Sequence, residues 1–344
     1  AIWFDSKARQ SRVKAVLDDH DCYIFDMDQT LSRYRIPAMY ELVYQCHMNF
    51  LVEHRGYPSA LRDIPFDESF VRKGLVFDAS TGDLLRVDEL GIIRKGRHGY
   101  AGGWLTDEQI KMKYGKLCKW PKFEELHGLK QGTFFSFNTV FDIPLAQICA
   151  LAVDYLDAIN LNPKPGESGG EGEGGRGELS YQIQGDLSAA CGHNYDPEAF
   201  ALRRGGFFPA LIDYPERYFE ERSKVRAWLE TQKERGKRLV MVTNSAYDFA
   251  NLVMLQSFGE GWKDLFLVTC YAAKKGKGFF ERPAAEVPFC ALPNSSLPLE
   301  KGSGVTRNGP ANAVGEPLQR LLPGGCYSGG HWSLLQEEVL GRWA

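Results

Sequence analysis

Short, largely apolar runs, each ending abruptly in small or polar residues, stand at three places in the chain. They are Tyr23-Ile24-Phe25, Leu239-Val240-Met241-Val242 and Leu265-Phe266-Leu267-Val268-Thr269-Cys270. Runs of this length without alternation predict strands buried on both faces, as in a parallel sheet. Elsewhere the apolar residues recur at helical spacing. Tyr40, Val43, Tyr44, Met48, Leu51 and Val52 predict a helix over 38–55, stopped by Gly56-Tyr57-Pro58. Pro144 opens a second over 145–159, Val225, Trp228 and Leu229 mark a third within 214–234, and Phe249, Leu252, Val253 and Leu255 a fourth over 247–258. Strand–helix–strand units near the two ends predict an α/β, doubly wound, Rossmann-like parallel sheet.

The middle of the chain has a different rhythm. Residues 70–78 and 83–88 flank Ala79-Ser80-Thr81-Gly82, the signature of a hairpin, and Gly91 to Lys95 supplies a further strand. Thr106-Asp107-Glu108-Gln109 reads as a capping box opening a short helix. This segment predicts an inserted mixed α+β cap. The division expected is a core of residues 11–66 and 205–344 with an inserted cap or substrate region of 67–204. Inside it, residues 163–178 are Gly- and Glu-rich, cannot bury a core and read as a flexible acidic loop. Residues 6–20 and 316–322 read as helices, and 281–316 as surface loop.

Composition narrows the function classes. A net charge of −3 gives no electrostatic case for a nucleic acid polymer or an anionic membrane surface. No apolar run approaches the roughly 20 residues of a membrane helix. The eight cysteines are scattered without a C-x-x-C pair, which suits reduced thiols and a cytoplasmic protein. The chain opens at Ala1 with no initiator Met and no signal pattern, so it reads as a processed or partial sequence.

The chemistry gathers where the predicted strands stop. Asp26 and Asp28 follow the first, Thr243-Asn244-Ser245 the second, and the basic loop Lys274-Lys275-Gly276-Lys277-Gly278 the third. Ligands of open α/β sheets bind at the carboxyl ends of strands, so these groups face one crevice. Paired carboxylates there can hold Mg²⁺, an aspartate can attack phosphorus, a hydroxyl with backbone N–H groups can hold phosphate oxygens, and a lysine can offset developing charge. A bare D-x-D also occurs by accident in a strand followed by a polar turn; the three strand ends taken in order are a more specific signal.

Phe25-Asp26-Met27-Asp28-Gln29-Thr30-Leu31 resembles the first motif of the haloacid dehalogenase (HAD) superfamily of phosphohydrolases. More narrowly, the chain resembles the cytosolic purine 5′-nucleotidase family. The matching stretches are residues 26–34, Phe141-Asp142-Ile143-Pro144, Val153-Asp154-Tyr155-Leu156, Val242-Thr243-Asn244-Ser245, and Lys275 ahead of Gly278-Phe279-Phe280. The resemblance implies a HAD-like core, a Mg²⁺ cofactor and a small phosphate ester, a nucleoside monophosphate, as substrate. It implies that Asp26 is the nucleophile and a Mg²⁺ ligand. Asp28 would be the general acid/base and would ligate the metal through its backbone carbonyl. It further implies Thr243 and Asn244 as phosphate-binding residues, a catalytic lysine within Lys274-Lys275, with Lys275 preferred, and Asn138 and Phe141 as nucleoside contacts. Phe141 reads more readily as core packing, the usual role of aromatic residues at such spacing. A homo-oligomer is compatible with the sequence.

The match fails at the family's fourth motif. The two aspartates expected after the last core strand fall on Gly330 and Leu335, and Leu322-Pro323-Gly324-Gly325 stands where that strand is expected. His331 in this stretch reads as a satisfied side chain rather than a metal ligand. Two functions follow: a Mg²⁺-dependent phosphomonoesterase, or a catalytically degenerate HAD-fold binding protein. A glycosyltransferase D-x-D is disfavoured by Thr30-Leu31 and by Thr243-Asn244-Ser245.

Overall fold

The structure, a computed structural model, describes residues 19–127, 134–161, 181, 183–280, 289–292, 317–318, 321 and 323–341. Most of the predicted 6–20 helix, the 163–178 loop and much of 281–322 lie outside the described residues. Two compact units divide the chain: Ala1–Arg35, Pro197–Arg204 and Pro209–Ala344 form one, and Ile36–Asp196 with Gly205–Phe208 the other.

In the flanking unit the three apolar runs become β1 (Cys22–Phe25) and, beyond four strands of the central unit, β6 (Arg238–Val242) and β7 (Val268–Tyr271). They lie side by side and parallel, with Tyr23 opposite Leu239 and Met241 opposite Thr269. The remaining described strands are β8 (Phe289–Ala291), β9 (Pro317–Leu318) and β10 (Gly325–Gly329), giving the order β1-β6-β7-β10-β8-β9. β10 runs parallel to β7, while β8 and β9 extend the sheet antiparallel. Two expectations are corrected here. The fourth core strand is present, starting at Gly325, and Pro317-Leu318 is strand rather than helix. The ladder offered by β7 and the burial of Cys326 and Tyr327 override the poor intrinsic preference of Gly-Cys-Tyr-Ser-Gly.

A helix over Ser223–Glu234 lays Trp228 across the edge strand, stacking on Tyr23 at 5.9 Å and meeting Phe25 edge-on at 6.2 Å. The predicted 214–234 helix is broken in two, because Phe219 leaves helical geometry to form a β-bridge with Tyr34. The core joins Val240, Val242, Val268, Cys270 and Phe279 to Tyr327, Leu335 and Val339.

The central unit starts with α1 (Ile36–His54). The sequence sets residues 36–66 with the flanking core. In the structure they pack centrally, because the end of α1 is tied to the 184–195 helix: Arg55 pairs with Asp186 at 3.2 Å and Tyr57 donates to it at 3.1 Å. The predicted hairpin forms from β2 (Leu75–Asp78) and β3 (Asp83–Val87), with β4 (Ile93–His98) and β5 (Phe134–Phe137) completing an antiparallel sheet of order β4-β3-β2-β5. The capping box is present: Thr106 accepts from Gln109 N–H, and the Gln109 side chain accepts from Thr106 N–H at 2.8 Å. The helix it opens, α2 (Asp107–Tyr114), packs Ile110 with Val76, Leu85, Ile93, Trp120 and Phe134. The Pro144-led helix is α3 (Leu145–Leu161). Among the described residues, no helix is long and apolar enough to cross a membrane.

Candidate active site

The parallel strands β1, β6 and β7 end together, and the polar residues after them converge. β1 stops at Phe25, and residues 26–32 fold into a turn closed by Ser32, whose N–H and Oγ both donate to the Met27 carbonyl at 3.0 and 3.1 Å. Met27 and Leu31 are buried and anchor the turn, and Gln29 adopts left-handed φ of 56°. Asp26 and Asp28 are thereby presented half-buried on a fixed loop.

The ends of β6 and β7 are stapled to each other. Thr243 N–H donates to the Cys270 carbonyl at 2.8 Å, and Ala273 N–H to the Thr243 carbonyl at 3.0 Å. Asn244 Oδ1 accepts from Lys275 N–H at 2.8 Å, which fixes the start of the basic loop, while Lys274 before it takes left-handed φ of 54°. From there the Lys275 side chain reaches back across the end of β6. Its Nζ lies 3.3 Å from the Val242 carbonyl and 2.7 Å from Asp26 Oδ1. Of the two lysines the sequence offers, Lys275 is the one that meets Asp26. Thr243 is fully buried, and its Oγ1 accepts from Ser245 N–H at 3.1 Å.

The two aspartates are treated differently by their surroundings. Asp26 Oδ1 also accepts from Met27 N–H at 2.8 Å, and Oδ2 carries no hydrogen bond among the described residues. Asp28 has both oxygens engaged: Tyr34 donates to Oδ1, and Ser245 Oγ to Oδ2 at 2.8 Å. Burial raises the Asp28 carboxyl above the usual range, with the charge of Asp26 adding to it, while the bonds from Tyr34 and Ser245 pull the other way. The Tyr34 phenol is held well above its normal range by burial and by the Asp28 charge, so it stays protonated and donates to Asp28.

Tyr34 and Ser245 were not among the site residues read from the sequence. Ser245 follows Thr243-Asn244 directly and lies in the same quoted motif; Tyr34, six residues beyond Asp28, closes the matching stretch 26–34, which could have pointed to it. Asn138 and Phe141 belong to the other unit. There Asn138 N–H donates to Asp142 at 2.7 Å, and the Phe141 ring meets Tyr195 and Phe207 at 5.8 and 6.1 Å.

At the end of β10 the fourth-motif positions carry no acid. Gly330 has φ of 93°, and a Cβ there would stand 1.9 Å from the Phe289 ring, so a side chain is barred unless Phe289 moves. Leu335 is fully buried in the core. His331 is buried and caps the helix after it, its Nδ1 accepting from Leu334 N–H at 3.3 Å. Among the described residues, no group of three or more His, Cys, Asp or Glu could hold a metal. What the described residues offer at this edge is a carboxylate oxygen, Asp26 Oδ2, that carries no hydrogen bond, while Oδ1 is paired with Lys275. That donor set fits a Mg²⁺ ion carried mainly by water and substrate phosphate, for Mg²⁺ commonly takes only one or two protein carboxylates.

Fold and site together define an α/β protein whose parallel sheet gathers a carboxylate pair, a Thr-Asn-Ser turn and a lysine at one edge. The chain belongs to the 5′ nucleotidase family, which it matches over residues 14–341. The human 5′-nucleotidase domain-containing protein 1 is 32% identical over 305 residues, covering 86% of this chain and 63% of that relative. The bovine protein of the same name is 29% identical over the same length, and human 5′-nucleotidase domain-containing protein 2 is 24% identical over 271 residues, 77% of this chain and 47% of the relative. The chain thus spans under two thirds of the human and bovine relatives' length.

Proposed function

We propose that this protein is a Mg²⁺-dependent phosphomonoester hydrolase of HAD type that acts on nucleoside 5′-monophosphates in the cytoplasm. The flanking unit then carries the catalytic residues. The observation that carries this reading is Asp26, paired with Lys275 at 2.7 Å and standing beside the doubly hydrogen-bonded Asp28 at the end of a parallel sheet.

In the mechanism that follows, an Asp26 carboxylate oxygen attacks phosphorus as the bond from phosphorus to the nucleoside oxygen breaks. The departing oxygen takes a proton from Asp28. Asp28, now a carboxylate, removes a proton from water. The water oxygen attacks phosphorus, the Asp26–phosphoryl bond breaks, and inorganic phosphate leaves with both side chains restored. Lys275 offsets charge on the phosphoryl oxygens throughout, and Thr243 and Asn244 hold them. Mg²⁺, held by Asp26 and the Asp28 backbone carbonyl, would supply further charge neutralisation at the phosphate.

A second reading, a catalytically degenerate binding protein, is favoured by one observation: Gly330 and Leu335 leave the end of β10 without a carboxylate. Phosphate release from a panel of nucleoside monophosphates, with and without Mg²⁺, decides between them. The enzyme reading expects Mg²⁺-dependent turnover that Asp26→Asn removes, by roughly 10⁴-fold or more. A folded protein that releases no phosphate from any of them would leave the scaffold reading standing.

A further inference from the structure

We propose that Tyr34 is a positioning residue for Asp28, fixing the plane of its carboxyl group so that a proton can pass to the leaving oxygen. The inference rests on the catalytic reading above and adds a residue to it.

The Tyr34 side chain is placed by a staple between two distant segments of the flanking unit. Residues 33–35, where the chain leaves this unit, pair with residues 218–220, after its return. Arg35 N–H donates to the Tyr218 carbonyl at 2.8 Å, Glu220 N–H to the Arg33 carbonyl at 2.9 Å, and Tyr34 and Phe219 form an antiparallel bridge between them. The Tyr34 ring packs edge-on against Phe219 with centroids 5.3 Å apart, and only 2% of the residue is exposed. Backbone and ring therefore fix the phenol before Asp28 is considered, and its hydroxyl is spent on Asp28 Oδ1. Ser245, on the loop after β6, holds Oδ2 at 2.8 Å.

Two donors from different elements thus grip the two oxygens of one carboxyl. The terminal torsion of an aspartate is broad and two-fold, so with a single partner the plane would swing. Proton transfer to a departing oxygen is sensitive to that swing, since a misplacement of about 1 Å can cost about 100-fold.

Tyr34→Phe keeps the ring on Phe219 and removes only the hydroxyl. The rate of phosphoenzyme formation, kcat and KM are measured with a nucleoside monophosphate and with p-nitrophenyl phosphate, whose leaving group departs without a proton. The expected result is a fall of about 10- to 100-fold in phosphoenzyme formation and kcat on the nucleotide, with KM nearly unchanged and phosphoenzyme formation from p-nitrophenyl phosphate preserved. Ser245→Ala should show the same selective loss, and Ser245→Thr should restore the rate. Equal losses on both substrates would mark a general structural role and overturn the proposal, as would no loss on either. A wild type active on nucleotides beside an equally active Tyr34→Phe rejects the positioning role alone. A wild type inactive on every substrate removes the catalytic reading, and this proposal with it.

Discussion

Lys275 has two tasks that a substitution can separate. Its ammonium lies 2.7 Å from Asp26, and its backbone N–H is bound by Asn244 at 2.8 Å, so the loop's path does not depend on the charged tip. Lys275→Met should therefore leave the melting temperature close to wild type while kcat on a nucleoside monophosphate falls about 10²–10³-fold, the usual cost of removing one preorganised charge from a site. A variant that melts early and loses activity in proportion would instead show the lysine holding the loop together. Asp26, Asp28, Thr243 and Lys275 were legible in the sequence because each follows an apolar run that ends at the same edge of the sheet. Tyr34 and Ser245 stood in the same matching stretches, but their contacts with Asp28 were not legible. Ser245 meets Asp28 across 217 residues of chain, and Tyr34 meets it only because residues 33–35 pair with 218–220. Contacts of that kind are set by tertiary pairing, which leaves no local pattern.

Within the central unit, β3, β4 and α3 are joined by a chain of charges. Asp83, at the start of β3, accepts from His98 Nδ1 at 2.7 Å, Lys113 Nζ at 2.9 Å and Tyr114 at 2.9 Å. His98 Nε2 faces Asp157 of α3 at 3.0 Å, with the Tyr181 hydroxyl at 3.5 Å from the same nitrogen. The Asp83 hydrogen bond raises the His98 pKa above its ordinary 6.5, with Asp157 adding to it and burial and Lys113 opposing. A raised folded-state pKa means that the protonated ring stabilises the fold fully below the unfolded value, and that this contribution is lost as pH rises through the folded one. His98→Gln should thus melt below wild type at pH below the ordinary 6.5 of a histidine, and the gap should narrow as pH rises above it. A gap independent of pH would show the imidazole to be neutral packing. Elements of this unit were readable where local signals agree: the Gly82 turn set the hairpin, and Thr106 with Gln109 set the start of α2. β8 and β10 were not readable. Gly325 to Gly329 is strand because β7 offers a ladder from Val268 to Tyr271, and Phe289 is drawn against Tyr327 in the same core. Pairing partners supplied there what propensity did not.

At the scale of the whole molecule, the outstanding feature is a site with most of the expected phosphohydrolase parts and no acid at the end of β10. The sheet forms that fourth strand, so the site edge is built; among the described residues it lacks a second side-chain carboxylate for a cation. The Asp28 side chain is assigned instead to proton transfer, with Tyr34 and Ser245 each donating to one of its oxygens. A Mg²⁺ ion held by Asp26 and the Asp28 backbone carbonyl would therefore draw its remaining ligands from water and from phosphate. Cation and phosphate should accordingly bind as a pair, each weakly alone, and the factor by which one improves the other must be the same in both directions. The check is calorimetric: inorganic phosphate titrated with and without saturating Mg²⁺, and Mg²⁺ with and without saturating phosphate, on wild type and on Asp26→Asn. The catalytic reading expects strong reciprocal coupling in the wild type and its loss in the variant. If phosphate binds equally well with and without the cation, the anion is held by Lys275 and the strand-end N–H groups alone. The same edge of the sheet would then serve as a phosphate-recognition surface, and the degenerate reading would gain the advantage.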